Sequence, residues 1–284
     1  MKKILFSLVG LGFFATTFAQ EAFDKKWQVG IALGTGFNMN KTTSLLKRDG
    51  VGFDQTLGLN LNYNLNPTLT VTTGLEFDFE SFKYTANDTI LYVYNDQNIT
   101  KKAEFEADSS FKDQNLFKLN ERQYKTTYLI LPIFATLKTK PFGNMQYFGK
   151  FGTRIGIKTG GRINDTGVIF AGDSLTGKTS IQENSNMVLE DDIRSLKINA
   201  GVSAGVMWNF SGTTMLVSEI GYFFGLTQMH MDERTTGEDK KRSYTLIDSN
   251  DENSLSKITK VSDIKWSAPA AKQGQILIKF TLFF

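Results

Sequence analysis

Along most of the chain, bulky apolar residues recur at every second position. A period of two places side chains on alternate faces of an extended strand, whereas a helix would repeat every 3.6 residues. Eight segments carry this alternation: 27–37, 54–65, 69–84, 121–138, 145–159, 195–210, 214–229 and 274–284. In 195–210, Leu196, Ile198, Val202, Val206 and Trp208 alternate with Lys197, Asn199, Ser203, Gly205 and Asn209. In 274–284, Ile276, Ile278, Phe280, Leu282 and Phe284 alternate with Gln275, Lys279 and Thr281. Each segment therefore predicts a strand with one apolar and one polar or glycine-rich face.

The connections alternate between long and short. Long ones span 38–53, 85–120, 160–194 and 230–273; short ones fall at Asn66-Pro67, 140–144 and 211–213. This rhythm predicts an all-β fold, an eight-stranded antiparallel up-and-down transmembrane β-barrel with long extracellular loops and short periplasmic turns. Two of the long connections carry strand patterns of their own. They predict hairpins within 89–106, around Asn95-Asp96-Gln97-Asn98, and within 242–261, around 248–253.

The alternation alone does not say which face is inside. A soluble barrel would turn its apolar face inward, but an eight-stranded interior is only wide enough for its own side chains. Leu, Ile, Phe, Tyr and Val at nearly every apolar position would overfill it. The glycine-rich faces fit a crowded interior, so the apolar wall is assigned to lipid.

Composition agrees with export to an outer membrane. Lys2 and Lys3, the apolar run 4–14 and Thr17-Phe18-Ala19 resemble a signal peptide over 1–19, leaving 20–284 as the barrel domain. Its excision removes two bases and no acid, which brings the formal charge of +3 close to neutral. That balance offers no argument for nucleic acid as a partner. The chain has no cysteine, which excludes disulfides and cysteine-ligated metal. No apolar run after residue 19 is long enough for a spanning helix.

Charges on the polar faces need partners. Glu76, Asp78, Glu80 and Glu219, with Lys150, Arg154, Lys158, Lys197 and Lys279, are expected to form an ion-pair network in the lumen. Trp27, Tyr63, Tyr147, Trp208, Phe210 and Phe284 fall near the short-turn end and are expected to form an aromatic girdle at the membrane interface.

Residues 128–157 carry a family resemblance. Tyr128, Leu129 and Pro132 on one strand, followed by a short turn and by Gly149 and Gly152 on an aromatic, glycine-rich strand, resemble the PorT-like outer-membrane β-barrel proteins of bacteroidetes. The resemblance implies an eight-stranded barrel without catalytic residues. One namesake of that family takes part in type IX protein secretion, which implies a place in a secretion or assembly complex as one alternative.

The functional expectation is a non-enzymatic barrel in outer-membrane lipid, with a plugged polar lumen, no cofactor or metal, and surface loops that bind a partner. His230, the only histidine, lies at the outer end of its strand near Ser218, Thr227, Asp232 and Glu233 in sequence. It is compatible with a lipid A-modifying enzyme, but is read as a solvated loop side chain. The acidic stretches 189–192 and 248–253 lack the glycine and terminal glutamate of a calcium loop and read as solvated turns.

Overall fold

The computed structural model describes residues 25–40, 46–92, 94–95, 98–99, 116–170, 179–188, 193–211, 213–230, 244–246, 265–267 and 271–284. The segment read as a signal peptide lies outside them, as do Asp232, Glu233, 189–192 and 248–253. The strands are β1 (Trp27–Asn40), β2 (Leu46–Asn66), β3 (Leu69–Tyr92), β4 (Tyr94–Asn95), β5 (Asn98–Ile99), β6 (Leu116–Lys138) and β7 (Met145–Phe170). They continue with β8 (Thr179–Val188), β9 (Leu196–Ser211), β10 (Thr214–Gln228), β11 (Tyr244–Leu246), β12 (Lys265–Ser267) and β13 (Lys272–Phe283).

The antiparallel pairings form a closed circuit. β1 pairs with β2, β2 with β3 and β3 with β6; β6 pairs with β7, β7 with β9, β9 with β10, β10 with β13 and β13 with β1. Closure leaves none of these strands with an open edge along its lower half, which is what lipid demands of backbone polar groups. Short turns join the wall strands at one end. There the Asn66 carboxamide accepts from the backbone N–H of Thr68 at 2.9 Å and of Leu69 at 2.8 Å. Gly143 takes φ of 59° in the 140–144 turn, a conformation that favours glycine.

Strand height varies around the circuit. β9, β10, β13 and β1 run for 16, 15, 12 and 14 residues. β2, β3, β6 and β7 run for 21, 24, 23 and 26. A tilted membrane strand takes roughly 9–11 residues, so the tall side rises well beyond a bilayer. β8 pairs with this upper part of β7, and β11 joins β3 through Leu246 and Ile90.

Three of the connections expected to be loops therefore carry strand. Within 38–53 the strands β1 and β2 reach Asn40 and start again at Leu46, and 160–194 contains the top of β7 and all of β8. The expected hairpin around Asn95-Asp96-Gln97-Asn98 is present as β4 and β5, with Tyr94 opposite Ile99. The third connection holds a strand pair that the sequence reading did not include, β7 with β8. The physical reason is a change of solvent. Above the lipid band the outward positions turn polar, as with Lys83, Gln123 and Lys125, and the apolar side chains move inside.

Two one-residue bulges also hide the upper strands. Asn120 is the extra residue on β6 and Thr159 on β7, so each reverses the alternation once. They offset one another, framing a segment in which Ile163 and Asp165 both point inward.

Candidate functional site

Within the circuit the inward side chains fall into three layers. At the short-turn end Phe148, Met207, Met215, Val217 and Phe283 form an apolar cluster. Glycines opposite the rings make room for them. A Cβ on Gly30 would sit 2.7 Å from the Phe283 ring, and one on Gly205 2.8 Å from that of Phe148. The lumen is therefore not polar throughout, because glycine-rich faces accept rings lying flat against the wall.

The middle layer is charged. Arg154 on β7 reaches across the interior to two carboxylates of β3, donating to Asp78 at 2.8 Å and Glu76 at 3.0 Å. Lys279 on β13 bridges Glu76 at 2.9 Å and Glu219 at 3.1 Å. Lys150 donates to Glu219 at 2.5 Å, and Lys197 pairs with Glu80 and lies 3.9 Å from Asp78. All of these side chains are buried. Their attraction must offset a desolvation cost of several kcal/mol per ion, and additional hydrogen bonds help. Gln275 accepts from Arg154 at 2.9 Å, and Gln273 donates to Glu80 at 3.0 Å.

Rings complete the layer. The Arg154 guanidinium sits 5.6 Å from the Phe223 ring, Lys150 lies between Phe134 and Phe148, and Lys197 is 5.0 Å from the Tyr128 ring. Such cation–π contacts strengthen when shielded from water. The structure thus brings eight of the nine expected lumen charges into contact. The ninth, Lys158, is half-buried above them and donates to the Ile193 carbonyl at 2.8 Å.

Two further charged sites escaped the sequence reading. Asp54 is fully buried on β2 and accepts from Asn38 and, at 2.7 Å, from Gln275. It is the first residue of its alternating segment, and its face was visible only from the positions that follow. Higher up, Arg122 and Asp165 form a bidentate buried pair at 2.6 and 2.7 Å. The bulges at Asn120 and Thr159 set the parity that lets them meet.

The third layer is an aromatic and aliphatic cluster above the charges: Leu46, Phe82, Tyr84, Phe117, Leu119, Tyr124, Tyr128, Ile130, Ile163, Met187, Ile193 and Met229. His230 belongs here. Its ring lies 5.4 Å from Tyr124 and 5.8 Å from Tyr84, and its backbone bridges Ile193. It is buried, not solvated as expected, because the tall wall carries the end of β10 under the cluster. Ser218 points outward, twelve residues before His230 along the chain.

The outer face is apolar over the lower wall, with Leu33, Leu57, Leu75, Ile133, Phe151, Val202, Ile220 and Phe280 among the exposed residues. Trp27, Tyr147, Trp208, Phe210 and Phe284 are exposed on the same surface at the short-turn end, where Tyr63 packs at a tilt against Trp27 with centroids 4.4 Å apart. Pro132, within the family-like motif, is buried on β6 opposite Arg154. The β3–β6 ladder loses its rungs between Ile133 and Ile130, as expected where proline offers no N–H.

A family model described as outer membrane protein beta-barrel domain matches residues 18–231. No curated protein matches the chain. Among solved structures, Neisserial surface protein A is 10% identical, covering 92% of this chain and 98% of its own, with a TM-score of 0.33. Ail, the attachment invasion locus protein of Yersinia pestis, is 10% identical over 92% of this chain and 100% of its own, with a TM-score of 0.27. The translocator domain of autotransporter NalP from Neisseria meningitidis is 9% identical over 100% and 94%, with a TM-score of 0.26. Scores this low carry no weight for the fold, which rests on the closed pairings and the family match.

Proposed function

Because the chain belongs to the outer membrane protein beta-barrel domain family, we propose that it is an eight-stranded, non-conducting, non-catalytic outer-membrane barrel whose raised wall presents a partner-binding surface outside the cell. The observation that carries this reading is the filled interior. An apolar layer, a paired charged layer and an aromatic layer follow one another along the axis, and their residues are buried. The short turns and the aromatic rim are assigned to the periplasmic side, as in other barrels of this kind. A rising wall packed around its own core supplies a rigid platform, which lowers the ordering cost of binding.

Planar-bilayer recording tests the filled interior. The purified protein is expected to leave the bilayer silent, and a steady ohmic conductance would overturn the reading.

A second reading is a subunit of an outer-membrane secretion or assembly complex of the PorT-like kind. What suggests it is the sequence pattern of Tyr128, Leu129, Pro132, Gly149 and Gly152 on β6 and β7. Tyr128 donates to the Arg194 carbonyl at 3.1 Å above the charged layer, and Gly152 lets the Phe134 ring pack where a Cβ would lie 2.7 Å from it. Mild-detergent purification from native membranes separates the readings: a stoichiometric partner protein favours the complex, and a barrel that runs alone counts against it.

A further inference from the structure

On the outer face of the tall wall, successive rows can be read across four strands. Leu57, Phe77, Leu129 and Ile157 form one row, all apolar. Gln55, Phe79, Thr127 and Gly160 form the next. Above them lie Phe53, Ser81, Lys125 and Arg162. The apolar wall therefore ends within two rows, and the first cations beyond it stand side by side on β6 and β7.

Lys125 and Arg162 are both exposed. Among the described residues neither side chain makes an ion pair or a hydrogen bond, and each faces the other directly across the ladder. Like charges placed opposite one another on a sheet destabilise it. Of the acids near this face, Glu121 lies 3.7 Å from Lys83, and Glu80, which borders the groove below, is paired with Lys197 in the interior; Asp49 and Glu183 stand in other rows, opposite Lys83 and Thr166. A groove of about 580 Å³ opens beside the two cations, bordered by Phe53, Phe79, Ser81, Gly160 and Asn186. Gly160 leaves it open, since a Cβ there would meet nothing within 4 Å. Its upper border is tied down. Gln123 donates to Ser81 at 2.9 Å, and the Asn186 N–H donates to Asn164 at 2.7 Å.

We infer that this groove binds the phosphate-bearing headgroup of an outer-leaflet glycolipid. Lys125 and Arg162 hold the phosphate, Ser81 lies within the same row as a further donor, and Phe79 with the row beneath it lies along the acyl chains. Charge complementarity names the phosphate, because guanidinium and ammonium groups bind it by charge-assisted hydrogen bonds. Position names the lipid, because the cations sit where a lipid headgroup layer meets the apolar band. The inference rests on the outward orientation proposed above.

The test uses the full-length protein in nanodiscs with lipid A, either phosphorylated or enzymatically dephosphorylated, and counts bound lipid by native mass spectrometry. Phosphorylated lipid A is expected to be retained by the wild type and lost about tenfold or more by K125Q/R162Q. A K140Q variant, in the turn at the opposite end, is expected to bind as the wild type does. Equal retention of the two lipids, equal retention by the double variant, or inorganic phosphate competing fully for the site would each overturn the inference. Single K125Q and R162Q variants, checked for heat-modifiable migration, keep the result readable if the double variant folds poorly. Orientation is read separately. With no native cysteine, Arg162→Cys should react with an impermeant maleimide in intact cells, and periplasmic labelling would remove the outer-leaflet assignment along with the proposed orientation.

Discussion

At the residue scale, the interior depends on which charges have partners. Arg154 holds two carboxylates at once, so Arg154→Met would leave Glu76 and Asp78 facing each other with reduced compensation. Breaking a buried pair from one side costs about 3–5 kcal/mol, and urea unfolding in lipid vesicles should show a loss of that order. Asp54 is the opposite case. Its carboxylate accepts from the amides of Asn38 and Gln275, and among the described residues no cation lies within ion-pair distance. Asp54→Asn is expected to leave stability unchanged or raise it, and a clear loss in the same unfolding assay would show that the charge itself is required. The network's membership was legible in the sequence because its charges interrupt glycine-rich faces. Arg122 and Asp165 were not, because their meeting depends on two bulges far apart in the chain.

At the element scale, the lower halves of the wall strands were legible down to their facing. Lipid outside and a crowded interior inside impose the strongest contrast that a period of two can carry. The upper halves lost that contrast. Segment 116–127 mixes Lys118, Glu121 and Lys125 with Phe117, Leu119 and Tyr124, and Asn120 breaks the count between them. Deleting Thr159 tests how much the upper wall depends on its bulge. The deletion would turn Ile163 and Asp165 outward and break the Arg122 pair, so proteolysis should cut above residue 160 while the lower barrel stays heat-modifiable on gels. Gly152→Ala probes the lower wall: its Cβ would press on the Ile133 carbonyl and the Phe134 ring. Overpacking of this kind costs about 1–3 kcal/mol, measurable as a lower urea midpoint.

At the scale of the whole molecule, one set of strands is folded in two solvents. Below, apolar side chains face lipid around a charged interior; above, polar side chains face water around Phe82, Tyr84, Tyr124 and their neighbours. The two parts should therefore differ in their response to urea, which acts on water-exposed structure by solvating apolar and peptide groups. In a Trp266→Phe variant, which removes the tryptophan of β12, Trp27 and Trp208 report the lower wall, and the buried tyrosines report the upper. Tyrosine near-ultraviolet dichroism is expected to fade at lower urea than tryptophan fluorescence, and coincident transitions would mean that the two parts unfold as one unit.

The pairing of β1 with β13 sets a timing problem that neither strand shows alone. Gly30 lies opposite Phe283, so the contact that seals the ring joins residues near opposite ends of the chain. Contacts of such separation form late and slowly, because the loop entropy is lost before the pairing compensates it. Until Phe283 arrives, β1 and β10 each present a row of unpaired amides suited to pairing with any extended peptide. The nascent chain therefore has to be kept from self-association during its passage to the membrane, and insertion has to wait for the last strand. Moving the chain ends by circular permutation, with a linker joining Phe284 to the start of β1 and new ends at the 140–144 turn, would make the β1–β13 contact local and pass the sealing role to β6 and β7. During folding into lipid vesicles, the β1–β13 contact of such a permutant should form before the β6–β7 contact, the reverse of the native order, and an unchanged order would show that chain ends do not set the timing.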